Sequence, residues 1–487
     1  AQVYFGKSLN DIGLAEAAML AGLPKAPSRF NPVVNFKRAK ARQLYVLRRM
    51  HDLGYVSSPE FKQAEKQPIH VKRESQEYAV RADYVAEMVR QAMYERHQEN
   101  TYTKGFRVYT TVKRLDQEAA YKAVRQGVLD YDKRHGYRGP EGFIDLTKSN
   151  ADREEMLEDA LQEVADSDDI YGAVALVAEP KLVKAYRKGG EIVEITDDGL
   201  KFAQKFLTGK AGASQQHIRP GSLIRIRKNE KGAWQIVQLP QVEASLISIN
   251  SRDGAIRAMI GGFDFNRSQF NHVTQAWRQP GSSFKPFIYS ASLEKGFTPA
   301  TVINDAPLFF TAAETGSEDW EPRNFDGNFE GPLRMREGLA KSKNLVSIRI
   351  LQAIGVQYAQ DYVARFGFDP KQHPAYLPMA LGAGSVTPMQ MAVGYAAFAN
   401  GGFRITPYFI KRVEDVKGNI LEQWQPVLAG EKAKQIIDPR NAFLMTSMMQ
   451  DVIQRGTATK AKQLGRTDLA GKTGTTTGEL CFNTGMT

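Results

Sequence analysis

Cysteine is nearly missing from this chain: Cys481 is the single one in 487 residues. That excludes an intramolecular disulfide framework and a cysteine-cluster metal site. A chain so poor in cysteine suits the cytosol and a bacterial periplasm equally well. Histidine is also sparse, with seven scattered copies and no H-x-x-x-H pair, which argues against a zinc hydrolase. No metal and no other cofactor is expected. No apolar run reaches the ~18 residues that a membrane-spanning helix needs, and no signal-peptide pattern begins at Ala1. What is present is ample for globular structure. Hydrophobic residues make up 42% of the chain, enough for more than one core, and the length suggests about three domains. Lys and Arg total 65 against 54 Asp and Glu, a formal charge of +11.

The chain opens on AQVYFGKSLNDIGLAEAAMLAGLPKAPSRFNP. This reads as a helix already under way. Ser8 or Asn10 is its expected cap, Ile12, Ala15, Ala18 and Met19 its apolar stripe, and Gly22 with Pro24 its stop. The N-terminus is therefore expected to be a cut. Residues 36–53 form a basic amphipathic helix with Leu44, Val46, Leu47 and Met50 on its apolar face. Its charges fit a solvated surface, or a contact with phosphates or an anionic membrane. A helix is expected over 83–96, a strand over 107–115 and an acidic helix within 147–169.

A run of short strands comes next: YGAVALVAE, LVKAYR, EIVEIT and SLIRIRKNEKGAWQIVQLP. Turns are expected at Gly189-Gly190, Asp198-Gly199 and Lys231-Gly232. The block suggests a small β-barrel of the OB kind. Trp234 and Tyr186 alone make no stacking platform, so no nucleic-acid partner is expected. From 243 onward the chain reads as α+β. A hairpin turning at Asp253-Gly254 opens it, long helical segments come after, and a strand returns at 468–476. Strands at both ends suggest one mixed or antiparallel sheet. The last residues, TGELCFNTGMT, show neither strand alternation nor a closing helix.

RQPGSSFKPFIYSASLEKG, residues 278–296, carries the chemistry. Gly281 allows a tight turn, and Pro286 is tolerated only in a helix's first turn, so the helix must begin near 282. Ser282 then stands at a helix N-terminus, with Lys285 three residues on and on the same face. A serine needs a base to become a nucleophile, and a desolvated lysine can serve. The free N–H groups and dipole of the helix end suit an oxyanion beside it. The same helix holds a second S-x-x-K, Ser292 to Lys295, at its last turn. There the dipole has the wrong sign, and a surface serine with a C-terminal lysine is expected.

Two more motifs fit the same chemistry. In Ser342-Lys343-Asn344 a hydroxyl and a carboxamide two apart can relay a proton and hold an amide, although by itself the triplet more often marks a cap or turn. Lys472-Thr473-Gly474 superficially matches a phosphate loop. However, Gly465 precedes Gly471 by the wrong spacing, and the stretch after Lys472 is Thr/Gly-rich and not helical. On a strand, Lys472, Gly474 and Thr476 share one face, and Gly474 allows close ligand approach.

In the order Ser-x-x-Lys, Ser-x-Asn, Lys-Thr-Gly, these motifs are the signature of the penicillin-interacting serine enzymes. QPGSSFKPF, WEPRNFDGNFEGP, MALGAGSVTPMQMAVGYAAFANGG and RGTA at 455–458 all resemble a penicillin-binding transpeptidase domain. Upstream, YFGKS…AAMLAGLPKAPSRFNP and KARQLYVLRRM resemble the last part of a peptidoglycan glycosyltransferase domain. Together with the OB-like block, the chain resembles a class A penicillin-binding protein of the Gram-negative 1a type.

The resemblance implies a multidomain α+β chain. Residues 1–60 would be a glycosyltransferase remnant, 61–140 a linker, 141–243 an OB-like β-barrel domain, and 244–487 a transpeptidase domain with an antiparallel sheet flanked by helices. It implies that Ser282 attacks a D-Ala–D-Ala carbonyl, that Lys285 takes its proton, and that Ser342 and Asn344 relay protons and position the peptide. Lys472 would tune the site, and Thr473 and Thr475, with Gly474 between them, would bind the terminal carboxylate. Backbone N–H groups of Ser282 and Thr475 would form the oxyanion hole. Peptidoglycan stem peptides and β-lactams are the implied partners. A membrane anchor is implied for the full-length protein, at the periplasmic face of the bacterial inner membrane. A regulator docking on the OB-like block is a further expectation.

The sequence also departs from the family. The glycosyltransferase motif E-D-x-x-F-x-x-H is absent, so no glycan polymerisation is expected. Thr477 to Thr487 does not match, so the Lys-Thr-Gly strand is expected to lose its sheet neighbours and the transpeptidase to be weakened or inactive. A β-lactamase is disfavoured by the lack of an E-x-x-L-N motif. D-Ala-D-Ala carboxypeptidase activity, or an inactive interaction module, are the alternatives.

Overall fold

The computed structural model describes residues 1–27, 30–33, 35–71, 80–147, 150–209, 216–315, 318–476 and 481–486. The chain forms two compact units: 1–80 with 127–242, and 81–126 with 243–487.

In the first unit, helices Leu14–Gly22, Phe36–Asp52 and Ser58–Lys66 share a small core around Ala15, Ala18, Met19 and Leu47. Neither Ser8 nor Asn10 caps the first of them. Ser8 instead bonds Asp11, and the backbone of Gly13 at the helix start donates to Glu16 at 2.9 Å. A side chain three residues into the helix can reach back to the cap position, which frees the cap itself from needing a polar side chain. The basic face of Phe36–Asp52 is partly matched within the same unit. Arg38 pairs with Glu155 and Asp159, and Lys37 with Glu154, all on the acidic helix Asn150–Gln162.

That acidic helix packs Leu157 and Leu161 against Val174 and Tyr186 of an antiparallel sheet. The sheet runs Gly142–Phe143, Ser222–Lys228, Tyr171–Glu179, Leu182–Arg187, Glu191–Thr196, with Trp234–Val237 also paired to Ser222–Lys228. Alternate residues such as Ala173, Ala175, Val183, Ala185, Ile224 and Ile226 form its core. Gly189 and Gly190 both take positive φ at the expected turn.

The second unit begins with helix Asp83–His97. The strand expected over 107–115 is shorter, Arg107–Thr110, because a helix starts at Arg114. That strand pairs with Ile410–Glu414, which pairs with Ile420–Gln423. The hairpin Leu246–Ile249 with Ile256–Ile260 forms as expected. Among the described residues no ladder joins it to the late strand Ala470–Thr475, so the strands of this unit form several separate antiparallel ladders.

The tail corrects an expectation. Cys481–Met486 is a strand, antiparallel to Ala470–Thr475 over its whole length, from Ala470 opposite Met486 to Thr475 opposite Cys481. The Lys-Thr-Gly strand therefore keeps a neighbour. Ladder pairing uses backbone N–H and C=O groups that any residue but proline supplies, so an edge can recruit a segment without hydrophobic alternation.

At the centre of this unit lies helix Lys285–Glu294, buried from Lys285 to Ser292 on every side. A helix covered on every side is a core helix, here one that also buries the polar Lys285, Ser290 and Ser292. Phe284, Phe287 and Ile288 pack on Phe366, Phe368, Tyr395 and Phe398, and helix Pro439–Arg455 adds Met445, Met448 and Met449.

Candidate active site

Residues Gly281–Phe284 form a 3-10 turn that leads directly into the α-helix. In such a turn residues three apart align, which places Ser282 and Lys285 on one side. Gly281 has φ 56°, and a Cβ there would lie 2.5 Å from the carbonyl oxygen of Thr475. Only glycine lets the serine turn approach the Lys-Thr-Gly strand this closely. Tyr395 pins the turn from below, donating to the carbonyl of Ser283 at 2.8 Å.

Ser342 comes just after helix Met335–Ala340 with φ 59°, a left-handed conformation. Its N–H donates to Leu339 and that of Lys343 to Gly338, at 3.0 and 2.9 Å. This pair of bonds is a Schellman helix end, where glycine is the usual occupant. A serine there is strained, and strain of this kind collects at functional sites. The turn reading of Ser342 thus holds. Asn344 opens the next helix, Asn344–Ile354. Its amide donates to the carbonyl of Arg323 at 2.8 Å, and its backbone N–H donates to Asn324 Oδ1 at 2.8 Å.

Both lysines converge on Ser342. Lys285 Nζ donates to the Ser342 carbonyl at 2.7 Å, to Ser342 Oγ at 3.3 Å and to Asn344 Oδ1 at 2.7 Å. Lys472 Nζ donates to Ser342 Oγ at 2.8 Å and to its neighbour's carbonyl, Thr473 O, at 2.9 Å. Each lysine side chain is almost wholly buried. Burial holds Lys285 well below the usual lysine range. The nearby Lys472 charge pushes it further down, and Asp305 partly opposes this. Burial brings Lys472 down to about 7. Two close cations in a dry site titrate as a pair, so one readily goes without its proton near neutrality.

Lys285 does not hydrogen-bond Ser282; Ser342 and Asn344 occupy it instead. An ammonium has three donors and here all three have acceptors. Only the neutral amine has a lone pair to offer the serine, and catalytic contacts often tighten only when substrate is present.

The strand Ala470–Thr475 buries Lys472 and Gly474 while Thr473 is half-buried and Thr475 exposed. Alternation thus places the threonines opposite Lys472. Thr473 Oγ1 meets Thr457 Oγ1 at 2.5 Å. Thr457 was legible only as part of RGTA. Asn324 was legible only as part of WEPRNFDGNFEGP, and Asp305 lay in none of the motifs. The second S-x-x-K is not a surface pair, since Ser292 is fully buried and donates to the carbonyl of Tyr289 at 2.7 Å. Its helix lies inside the core to the last turn, so even a serine there is covered. Lys295 sits over the Tyr358 ring. Gly471-Lys472-Thr473 lies within a strand. Among the described residues no cluster of three or more His, Cys, Asp or Glu could hold a metal, and no helix is long and apolar enough to cross a membrane.

Three family models match the chain in order. They are a transglycosylase over residues 1–51, a penicillin-binding protein OB-like domain over 137–242, and a penicillin-binding protein transpeptidase domain over 244–478. Penicillin-binding protein 1A of Haemophilus influenzae, a solved structure, superimposes with a TM-score of 0.82 at 38% identity, over 98% of this chain and 74% of that one. The chain belongs to the penicillin-binding protein 1A family. Penicillin-binding protein 1A of Neisseria flavescens is 46% identical over 98% of this chain, and that of Pseudomonas aeruginosa 40% identical over the same share. The chain spans 59% of the former's length and 63% of the latter's. The candidate site lies within the second unit, on the Ser282 turn, the Ser342 turn and the Lys472 strand.

Proposed function

We propose that this chain is a peptidoglycan DD-transpeptidase acting through a serine acyl-enzyme. The observation that carries the reading is the convergence of Lys285 and Lys472, both buried, on the hydroxyl of Ser342 beside the Ser282 turn. Neutral Lys285 takes the proton of Ser282 as Oγ bonds to the penultimate D-Ala carbonyl carbon. The developing oxyanion lies toward the backbone N–H groups of Ser282 and Thr475. The D-Ala–D-Ala peptide bond then breaks, and its nitrogen leaves with a proton passed through Ser342, whose hydroxyl touches both lysines. An amine from a second stem peptide attacks the ester, forms the new peptide bond and returns Ser282 to its hydroxyl form. Thr473 and Thr475 hold the terminal carboxylate, with Gly474 leaving room for the substrate backbone. A β-lactam acylates the same serine.

Water in place of the amine gives carboxypeptidase activity, and product analysis on a pentapeptide separates the two outcomes. The weakening expected from a lost strand partner does not apply to a strand that is paired, so acylation competence is part of the proposal. The proposed division is 1–60 glycosyltransferase remnant, 61–140 linker, 141–243 OB-like domain and 244–487 transpeptidase. The order of the three family matches supports it. A periplasmic, membrane-anchored setting for the full-length protein belongs to the same reading, as does a regulator at the OB-like domain. Labelling with a fluorescent penicillin tests the core of it. The chain should label covalently, and Ser282→Ala should remove the label. Labelling that survives Ser282→Ala sinks the site.

A further inference from the structure

Lys343, the middle residue of Ser342-Lys343-Asn344, has no part in the acyl-transfer steps, yet its side chain is only 2% exposed. Its ammonium lies 2.9 Å from Asp326, 3.1 Å from Glu330 and 3.6 Å from Asp305. Asp305 is itself fully buried and accepts from Asn324 Nδ2 at 2.8 Å and from the N–H of Glu330 at 3.1 Å. Asn324 in turn accepts from the N–H of Asn344. The strand Val302–Asp305, the 323–330 loop and the Ser342 turn are thus one polar network. A buried cation needs a partner, but it does not need three carboxylates. Ser342 next door sits in a backbone conformation that costs a serine energy and that something must hold.

We propose that Lys343 is a positioning residue, whose ionic clamp to Asp305, Asp326 and Glu330 holds Ser342 in the left-handed turn that sets its hydroxyl between Lys285 and Lys472. The inference rests on the acyl-transfer reading of Ser282. The clamp has an electrostatic consequence too. The charged groups that face Lys285 are Lys472 from the strand Ala470–Thr475 and Asp305 from the strand Val302–Asp305. Asp305 favours protonated Lys285, and Lys343 offsets part of that charge. Removing Lys343 leaves Asp305 less compensated, so Lys285 holds its proton to higher pH. Neutralising Asp305 does the reverse.

The test is the second-order rate of acylation of the whole chain by a fluorescent penicillin, measured against pH. Lys343→Met is expected to slow acylation on the order of ten- to a hundredfold, the scale of a small misplacement at a reacting centre. It should move the acid limb up in pH, whereas Asp305→Asn should move it down and Lys343→Arg should restore most of the rate. A merely structural role changes the amplitude and leaves the limb where it was. Asp326→Asn combined with Glu330→Gln removes the two partly exposed carboxylates, 51% and 33% exposed, without emptying a buried site. That double variant leaves Asp305 as a partner for Lys343, so it should fold with a modestly lowered melting temperature and acylate several-fold more slowly, and it decides the matter if Lys343→Met does not fold. Variants that label as fast as the unaltered chain, with a fixed acid limb, overturn the clamp and leave acyl transfer standing. An unaltered chain that does not label overturns both.

Discussion

Ser342 concentrates the conflict between stability and chemistry in a single residue. Its φ of 59° is one that glycine adopts freely and serine does not. Its hydroxyl, however, is the atom that both lysines touch. Ser342→Gly should therefore stabilise the fold by about 1 kcal/mol, the scale of the left-handed cost removed. The same change should slow acylation by roughly a hundredfold or more, as loss of a proton relay does. Thermal melts and labelling kinetics on one sample check both signs. A variant that is less stable contradicts the strain, and one that labels normally contradicts the relay. The lysines themselves were legible as Lys285 and Lys472. Their arrangement was not, because spacing along a helix cannot show that Lys285 is held by Ser342 and Asn344 and not by Ser282.

At the scale of the element, the strand Ala470–Thr475 ties the site to the tail. Deleting residues 477–487 strips that strand of its described ladder partner, so the melting temperature of the second unit should fall and labelling should slow. The strand also brings a pH-dependent term through Lys472. Its folded pKa of about 7 lies below its ordinary value of 10.5. Between those two values the unfolded chain binds the proton and the folded chain does not. Stability from this group therefore rises with pH across that window and is flat below about 7. Lys472→Met should remove that slope from a plot of melting temperature against pH, while its parent keeps it. The helix Lys285–Glu294 shows the opposite limit of legibility. Gly281 and Pro286 pointed to a start near 282, where a 3-10 turn, Gly281–Phe284, precedes the α-helix that begins at Lys285, and only packing revealed that the helix is buried through Ser292, which made the second Ser-x-x-Lys pair a core feature.

For the whole molecule, two units with separate cores imply two cooperative transitions. Calorimetry should resolve them. Saturation with a penicillin should raise only the transition of the unit holding residues 243–487, since a ligand stabilises the part that binds it. A single transition shifted as one argues against independent cores. The charge of +11 is also shared out in ways composition could not show, since Arg38 and Lys37 on the basic helix pair with Glu154, Glu155 and Asp159. Blocks of opposite charge far apart in sequence gave no hint that they would meet.

The family, the candidate nucleophile and the order of the three motifs could all be read from the amino-acid string. They depend on residue types at short spacing, and the turn chemistry of Gly281 and Pro286 is local. Their surroundings came from three-dimensional packing alone: the left-handed turn at Ser342, the buried carboxylate Asp305, the meeting of Thr457 with Thr473, and the pairing of the tail with the Lys-Thr-Gly strand. Each of these joins segments distant in the chain, or uses backbone groups common to nearly all residues, and neither leaves a mark in a local pattern.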